Sequence, residues 1–206
     1  MKVKKTIKQI AIGFSLLGLS LVATATPNAK LQVYISPQDY SSAVKLWQYY
    51  ADYWFYQGEV VEPIAAKSLK EAFGNVSMCK GMQTGNALMW LRPSIFYNPQ
   101  MRVYYGTMTA YIFDANGKPV NRVIGESRVL GDLDVMTQQT IDKTYHLAIN
   151  NLVTKLKADK AVLAALDSDL ATGETYAACS SVPNLPNNLP PYTPIKNILF
   201  DGVHYN

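Results

Sequence analysis

Apolar and polar residues alternate with a period of two in several stretches of this chain. Leu31, Val33 and Ile35 alternate with polar neighbours over residues 30–35, which is the pattern of a half-buried strand. Four further strand-like stretches follow, and glycines or the sequences Asn-Pro and Asp-Ala-Asn-Gly separate them. They cover residues 76–79, 87–97, 101–113 and 120–130. The pattern predicts a mainly antiparallel sheet of four to five strands.

The last two of these strands are predicted to form a hairpin around Asn116 and Gly117. Asn-Gly suits the two positive-φ positions of a type I′ turn, and a two-residue loop would pair Ala115 with Lys118. Counting outward from that pair gives one apolar face, the predicted core, and one polar face. The core-face pairs are Tyr104–Val129, Met108–Gly125 and Ala110–Val123, and the others are Tyr105–Arg128, Thr107–Glu126 and Tyr111–Arg122.

Helical signals lie on both sides of the strand region. Ser36, Pro37 and Asp39 have the types expected at an N-cap, a first helical position and a capping box, so a helix is predicted over 37–57. A second helix is predicted over 62–73, with Gly74 as its stop. A long helix capped by Asp132 or Asp134 should end near Lys157, and Asp159 should cap a short one through Leu170. The long helix carries an apolar stripe of Ile141, Tyr145, Ala148, Ile149, Leu152 and Leu156. The fold class is therefore α+β, a single domain with about four helices packed on the sheet.

The first 25 residues are typical of a cleavable export signal. Four lysines precede an uncharged apolar run over residues 10–22, and small residues then lead to a predicted cleavage after Ala25. As a helix the run would rise about 20 Å, short of the roughly 30 Å hydrocarbon core of a bilayer. We therefore expect cleavage, no membrane span in the mature chain, and a periplasmic address, with release outside the cell left open.

The composition changes again after Cys179. Prolines, which cannot donate ladder hydrogen bonds, fall there among asparagines and predict an extended tail. These prolines are Pro183, Pro186, Pro190, Pro191 and Pro194. The predicted division is a signal peptide over 1–25, an α/β globular domain over 26–179 and a Pro/Asn-rich tail over 180–206.

Removal of the leader changes the charge of the protein. The whole chain has 19 Lys and Arg residues against 15 Asp and Glu, and four of the lysines lie in the leader, so the mature chain has no net charge. No surviving run of Lys or Arg suggests a surface that follows phosphates, and we expect no nucleic-acid partner.

Cys79 and Cys179 are the only cysteines. In an oxidising compartment an even pair is typical of a disulfide, although two separate buried thiols would also account for it. If formed, the bond closes a loop of about 100 residues and constrains the unfolded chain strongly.

The common catalytic and metal-binding motifs are missing, and only His146 and His204 are available for histidine chemistry. We predict no catalytic residue, no metal site and no cofactor, with His146 solvated or capping a helix. Asp132 and Asp134, with Glu126 nearby, could form a carboxylate pair. Their position at a helix start favours capping instead.

An aromatic cluster is the candidate binding site, because residues 47–56 contain seven aromatic side chains in ten positions. On the predicted helix, Tyr49, Tyr53 and Tyr56 share a stripe at i, i+4 and i+7. Tyrosine offers apolar area together with a hydroxyl, which suits a protein partner or a glycan ring. Burial of the stripe under the tail or a loop is the alternative. The predicted core stripe of this helix is Ala43, Val44, Trp47, Tyr50, Ala51 and Trp54.

The element order over residues 31–157 resembles small α/β domains of bacterial envelope proteins. The resemblance is to the amino-terminal domain of TolB and to penicillin-binding-protein activator lipoproteins. It rests on residues 104–131 and the helix over 141–156, and no diagnostic motif supports it. The chain departs from these families in lacking a lipobox cysteine and in placing two consecutive helices after the first strand. The resemblance implies a protein that contacts partners, and it transfers no functional residue.

Together these features favour an exported, non-catalytic binding or assembly factor that contacts an envelope protein or a cell-wall glycan. A periplasmic hydrolase with carboxylates near Asp132, or a secreted effector or inhibitor, are the alternatives. The sequence leaves the oligomeric state open.

Overall fold

A computed structural model describes residues 29–80, 83, 85–134, 136–168, 179 and 182. The predicted leader, nearly all of the predicted tail, His204 and the last residues of the predicted fourth helix lie outside this part of the chain. The domain boundaries therefore stay predictions.

The described chain is α+β, as the sequence predicts. In chain order its elements are β1 (Ala29–Tyr34), α1 (Pro37–Ser41), β2 (Ala43–Gln48), β3 (Ala51–Tyr56), α2 (Gln57–Phe73), β4 (Val76–Met78), β5 (Gly85–Asn98), β6 (Val103–Asp114), β7 (Pro119–Leu130), α3 (Thr137–Ala158) and α4 (Lys160–Asp167). Five strands form one mixed sheet in the order β4-β1-β5-β6-β7, and β2 pairs with β3 separately. Strand β1 runs parallel to β4 and β5, and β5, β6 and β7 are antiparallel.

The hairpin of β6 and β7 has the predicted register. All six predicted pairs are present, and the predicted core face is buried. The loop has three residues, 115–117, instead of the predicted two. It is closed by Asp114 and Lys118, where the amide of Asp114 donates to the carbonyl of Lys118 at 3.0 Å. A register shift between Ile112 and Phe113 compensates, and it restores the predicted pairing from Ile112 onward.

Helix α3 packs on β6 and β7 with its predicted apolar stripe fully buried. The approach is close because β7 has a glycine at its centre: a Cβ on Gly125 would collide with the carbonyl of Ala148 and with Leu152. The same helix covers the free edge of β7, where Asn151 accepts from the amide of Glu126 at 3.1 Å and Lys155 donates to the carbonyl of Ile124 at 2.7 Å. Helix α3 thus satisfies two backbone groups at the middle of the β7 edge.

The prediction of one helix over 37–57 is wrong after its first turn. Ser36 caps α1 as expected, since its hydroxyl accepts the amide of Asp39 at 3.0 Å, but α1 ends at Ser41. Residues 43–56 form the antiparallel pair β2–β3, which we call the aromatic hairpin. Tyr, Trp, Phe and Val favour strands, and the segment also fits a period of two, so strand propensity prevails over the helical spacing. The predicted core stripe is accordingly wrong: of its six members only Val44 is half-buried and the rest are exposed.

The other helices begin near their predicted starts. Helix α2 begins at Gln57 rather than residue 62, and Gly58 is buried in its first turn against Tyr40 instead of ending a helix. Gly74 ends α2 as predicted, with φ of +78°. Asp159 caps α4 as predicted, whereas Asp134 lies two residues before the cap of α3 and its carboxylate accepts the amide of Met136 at 2.9 Å.

The two cysteines are bonded to each other, as the sequence predicts. The sulfurs of Cys79 and Cys179 lie 2.06 Å apart, and their Cα atoms 5.7 Å apart, as in a disulfide. In the part of the chain that the structure describes, no helix has the length and hydropathy needed to cross a bilayer.

Candidate functional site

The aromatic hairpin has two faces of different character. Its inner face buries Leu46 and Phe55 and half-buries Val44 and Tyr53. Its outer face and its turn expose large aromatic side chains. These are Trp47, Tyr49, Tyr50, Trp54 and Tyr56, with relative exposures of 51%, 59%, 103%, 59% and 51%. Such a concentration of exposed rings on one hairpin is typical of a docking surface.

Hydrogen bonds from the inner face attach the aromatic hairpin to the body of the domain. The Gln48 Oε1 atom accepts from the hydroxyl of Tyr97 at 3.2 Å and from the amide of Leu133 at 3.3 Å. The hydroxyl of Tyr53 donates to Oε1 of Gln138 on α3 at 2.8 Å. The hairpin is thus fixed to β5, to the segment before α3 and to α3 itself.

The outer face has one charged pair, and that pair is internally satisfied. Lys45 and Asp52 form an ion pair at 2.7 Å, and the ammonium of Lys45 lies 5.3 Å from the centre of the Trp54 ring. On the same side the rings of Trp47 and Tyr49 are in tilted contact at 5.9 Å. The rings therefore form the accessible part of the face.

A cleft of about 610 Å³ lies beside the aromatic hairpin, between β3, α2 and α3. Its wall includes Tyr53 and Tyr56 of the hairpin and Glu59 of α2. Helix α3 adds Gln138, Asp142 and His146, which follow each other at i, i+4 and i+8 on one stripe. The amide of Gln138 donates to Asp142 at 2.8 Å, so the Tyr53 contact continues into a short polar network.

The chemistry of this cleft is acidic and aromatic. Glu59 and Asp142 contribute two carboxylates, and His146 is exposed, which agrees with the predicted solvated histidine. Among the residues that the structure describes, no three metal-ligating side chains lie close enough to hold an ion. The described lining of the cleft is therefore made of carboxylates, polar groups and aromatic rings.

The predicted tyrosine stripe does not exist as a stripe. Tyr49 lies in the turn of the aromatic hairpin, Tyr53 points inward and Tyr56 belongs to the outer face. Tyr53 and Tyr56 still meet at the cleft. Trp47, Tyr50 and Trp54, which the sequence assigned to the core, are exposed as well. A period-two interpretation of residues 43–56 would have placed Trp47 and Trp54 on the outer face.

The carboxylates near residue 132 have structural contacts. Asp132 pairs with Arg102 at 3.2 Å, its carbonyl accepts the hydroxyl of Tyr104 at 2.9 Å, and Asp134 holds the amide of Met136. Burial raises the pKa of Tyr104 to about 12. Glu126 is exposed on β7, where its amide is bonded to α3.

Comparisons with known proteins leave the family of the chain open. No protein-family model matches the chain, and no curated protein matches it. Among solved structures, the chain is similar to a Xanthomonas campestris protein described as DUF330, at 5% identity and a TM-score of 0.40, covering 64% of this chain and 88% of that one. It is similar to a second protein, described only as uncharacterized, at 5% identity and a TM-score of 0.43, covering 63% and 94%. It is also similar to a PelC dodecamer from Paraburkholderia phytofirmans at 13% identity and a TM-score of 0.37, covering 63% and 95%. These similarities identify no function for this chain.

Proposed function

We propose that this protein is an exported, non-catalytic binding or assembly factor of the bacterial envelope, and that it docks an envelope protein through the outer face of the aromatic hairpin. One observation carries the proposal: Trp47, Tyr49, Tyr50, Trp54 and Tyr56 are all more than half exposed on one hairpin. Leaving these rings in water is costly for a protein that works alone, whereas aromatic side chains commonly supply most of the binding energy of an interface. The periplasmic address rests on the leader sequence.

A protein partner fits this face better than a glycan. Recognition of a sugar needs polar groups beside the rings that are free to bond its hydroxyls. Here the charged groups between the rings, Lys45 and Asp52, already pair with each other at 2.7 Å. A partner surface of apolar side chains would cover the rings without breaking that pair.

The neighbouring cleft would add selectivity to such an interface. Glu59 and Asp142 line it together with Tyr56, so a lysine or arginine of the partner could enter beside two carboxylates and an aromatic ring. Charged groups of this kind act mainly on the association rate and on the choice of partner.

The proposal is tested by comparing two triple variants in the native envelope. One replaces outer-face rings (Trp47→Ser, Trp54→Ser and Tyr56→Ser), and the matched control replaces exposed polar residues of α3 and α4 (Gln139→Ser, Asn150→Ser and Lys160→Ser), which lie outside the cleft. We expect the control variant to cross-link the same specific protein as wild type and the ring variant to lose that product. Once the partner is purified, the ring variant should bind it about 30-fold or more weakly. Equal capture by both variants would contradict the proposal.

A glycan partner would give a different result in a second assay. The wild-type protein is mixed with purified peptidoglycan sacculi and sedimented. Sedimentation that disappears in the ring variant, without any protein cross-link, would show that the rings bind sugar and that the protein-docking proposal is wrong.

A further inference from the structure

The sheet face opposite the helices carries a row of aromatic rings. Tyr34, Trp90 and Tyr111 are successive partners across β1, β5 and β6, with ring centres 6.2 and 5.9 Å apart. The guanidinium groups of Arg92 and Arg122 lie 5.7 and 5.4 Å from the Trp90 and Tyr111 rings. Aromatic rows of this kind are the usual floor of grooves that bind extended, proline-rich segments.

Apolar side chains on this face are buried although the helices α2, α3 and α4 pack on the other side. Leu88 is fully buried and Phe113 is 1% exposed. Among the described residues, Val182 packs on this cluster from outside the sheet. The Cys179 sulfur lies 3.4 Å from Oε1 of Gln32, whose side chain is on the same face. Residues 179 and 182 therefore both lie on this side of the sheet.

Two donors on this face have no acceptor among the residues that the structure describes. The indole Nε1 of Trp90 and the Nε of Arg92 are buried and make no hydrogen bond there, and the Nε of Arg92 lies 3.7 Å from the Asp39 carboxylate. A buried donor without a partner costs about 1–3 kcal/mol, so an arriving acceptor would be favoured. Polyproline II segments make no internal hydrogen bonds, and their carbonyls are free to accept.

The sequence immediately after Val182 has the composition of such a segment. It contains Pro183, Pro186, Pro190, Pro191 and Pro194. The ring centres of the row lie 6.2 and 5.9 Å apart, so a polyproline II segment of about four or five residues spans the row. The bond from Cys79 to Cys179 holds the start of the segment beside the face, which raises its effective concentration there.

We propose that residues 183–194 of the same chain bind across the Tyr34–Trp90–Tyr111 row in the polyproline II conformation, with the indole of Trp90 donating to a backbone carbonyl of the segment. The proposal concerns the face opposite the helices and is independent of the aromatic hairpin.

The first test follows Trp90 by fluorescence in the full chain. Trp47→Phe and Trp54→Phe leave Trp90 as the only tryptophan. In that background, replacing Pro183, Pro186, Pro190 and Pro191 by Ser should shift Trp90 emission to the red and raise its acrylamide quenching constant at least twofold. The control, Asn197→Ser and Asn206→Ser, lies outside residues 183–194 and should change neither. Equal quenching in the proline variant, with circular dichroism showing a folded protein, would overturn the proposal.

The second test measures protease access to the segment instead of the environment of Trp90. It tests the proposal even if the proline variant does not fold. Chymotrypsin cleavage after Tyr192 should be slow in the native full chain. Trp90→Ala should speed it at least fivefold, whereas Trp47→Ala, at an exposed tryptophan on the aromatic hairpin, should leave it unchanged. A cleavage rate that does not respond to Trp90→Ala would show that the segment does not bind this row.

Discussion

The hydroxyl of Tyr53 donates a hydrogen bond of 2.8 Å to Oε1 of Gln138, and this contact joins the aromatic hairpin to α3. Because the contact uses the inner face, the rings of the outer face stay free of the fold. The hairpin therefore has a buried side and an exposed side, and the two sides should respond differently to mutation.

Mutations on the two faces of the aromatic hairpin should lower the stability of the protein by unequal amounts. Leu46→Ala removes a side chain that is 2% exposed and should cost about 2–5 kcal/mol of unfolding free energy. Trp47→Ala, at the next residue, removes a ring that is 51% exposed and should cost less than about 1 kcal/mol. Urea unfolding of both variants checks this, and similar losses would show that the two faces are assigned incorrectly.

Gly125 should tolerate no side chain. Its Cβ would collide with the backbone of α3 at Ala148 and Leu152, so Gly125→Ala should cost about 1–3 kcal/mol or more through displacement of that helix. Gly131→Ala is the matched control, because its Cβ would meet side-chain atoms and no backbone, namely Thr140 at 3.0 Å and the Tyr104 ring at 3.4 Å. A smaller effect at Gly125 than at Gly131 in thermal unfolding would contradict the close packing of α3 on β7.

Tyr104 should make the protein sensitive to alkaline pH. Burial raises its pKa in the folded state to about 12, whereas the unfolded chain titrates near the ordinary value of 10.0. Between these values the unfolded state loses the proton first, so stability falls as pH rises, by about 2–3 kcal/mol for this group in total.

The Tyr104→Phe variant isolates this effect. At pH 7 it should be less stable than wild type by about 1 kcal/mol, because the hydrogen bond from Tyr104 to the carbonyl of Asp132 is lost. Above pH 10 the difference should shrink and then reverse, since the variant has no phenol to titrate. Urea unfolding at pH 7, 10 and 11.5 measures it, and a constant difference across this range would refute the assignment.

Removing the bond between Cys79 and Cys179 should destabilise the protein. The two residues are 100 positions apart, and the loop-entropy model gives up to about 4.7 kcal/mol for such a loop. Thermal unfolding of the Cys79→Ser/Cys179→Ser variant should show a lower melting temperature, and wild type should approach it under reducing conditions. A melting temperature that is unchanged in both experiments would mean that the bond does not constrain the unfolded chain.

The sequence predicted best where two independent signals agreed. For β6 and β7, the Asn-Gly turn and the alternation of apolar residues gave one register, and all six pairs are present. The helix prediction for residues 43–56 was wrong for the opposite reason, because their aromatic side chains fit both a helical and a two-residue period. Strand propensity decides such cases, and the inner pair Leu46 and Phe55 shows which period holds.

The cleft could not be predicted from local patterns. Glu59 comes from α2, whereas Asp142 and His146 come from α3, and the two helices meet only in the fold. One signal was present in part: Gln138, Asp142 and His146 form a polar row on α3 beside the buried Ile141 and Tyr145. A polar row next to an apolar stripe indicates a surface, and it does not identify what faces that surface.

Site-specific photo-crosslinking in living cells tests the central claim most directly. A photoreactive residue is placed at Tyr50 or Trp54 of the aromatic hairpin, and at exposed Lys118 as the control, in the turn between β6 and β7. The predicted result is one discrete cross-linked envelope protein from the two hairpin positions and none from Lys118. The same products from all three positions, or no product from the hairpin, would contradict the claim that the aromatic hairpin docks a protein partner.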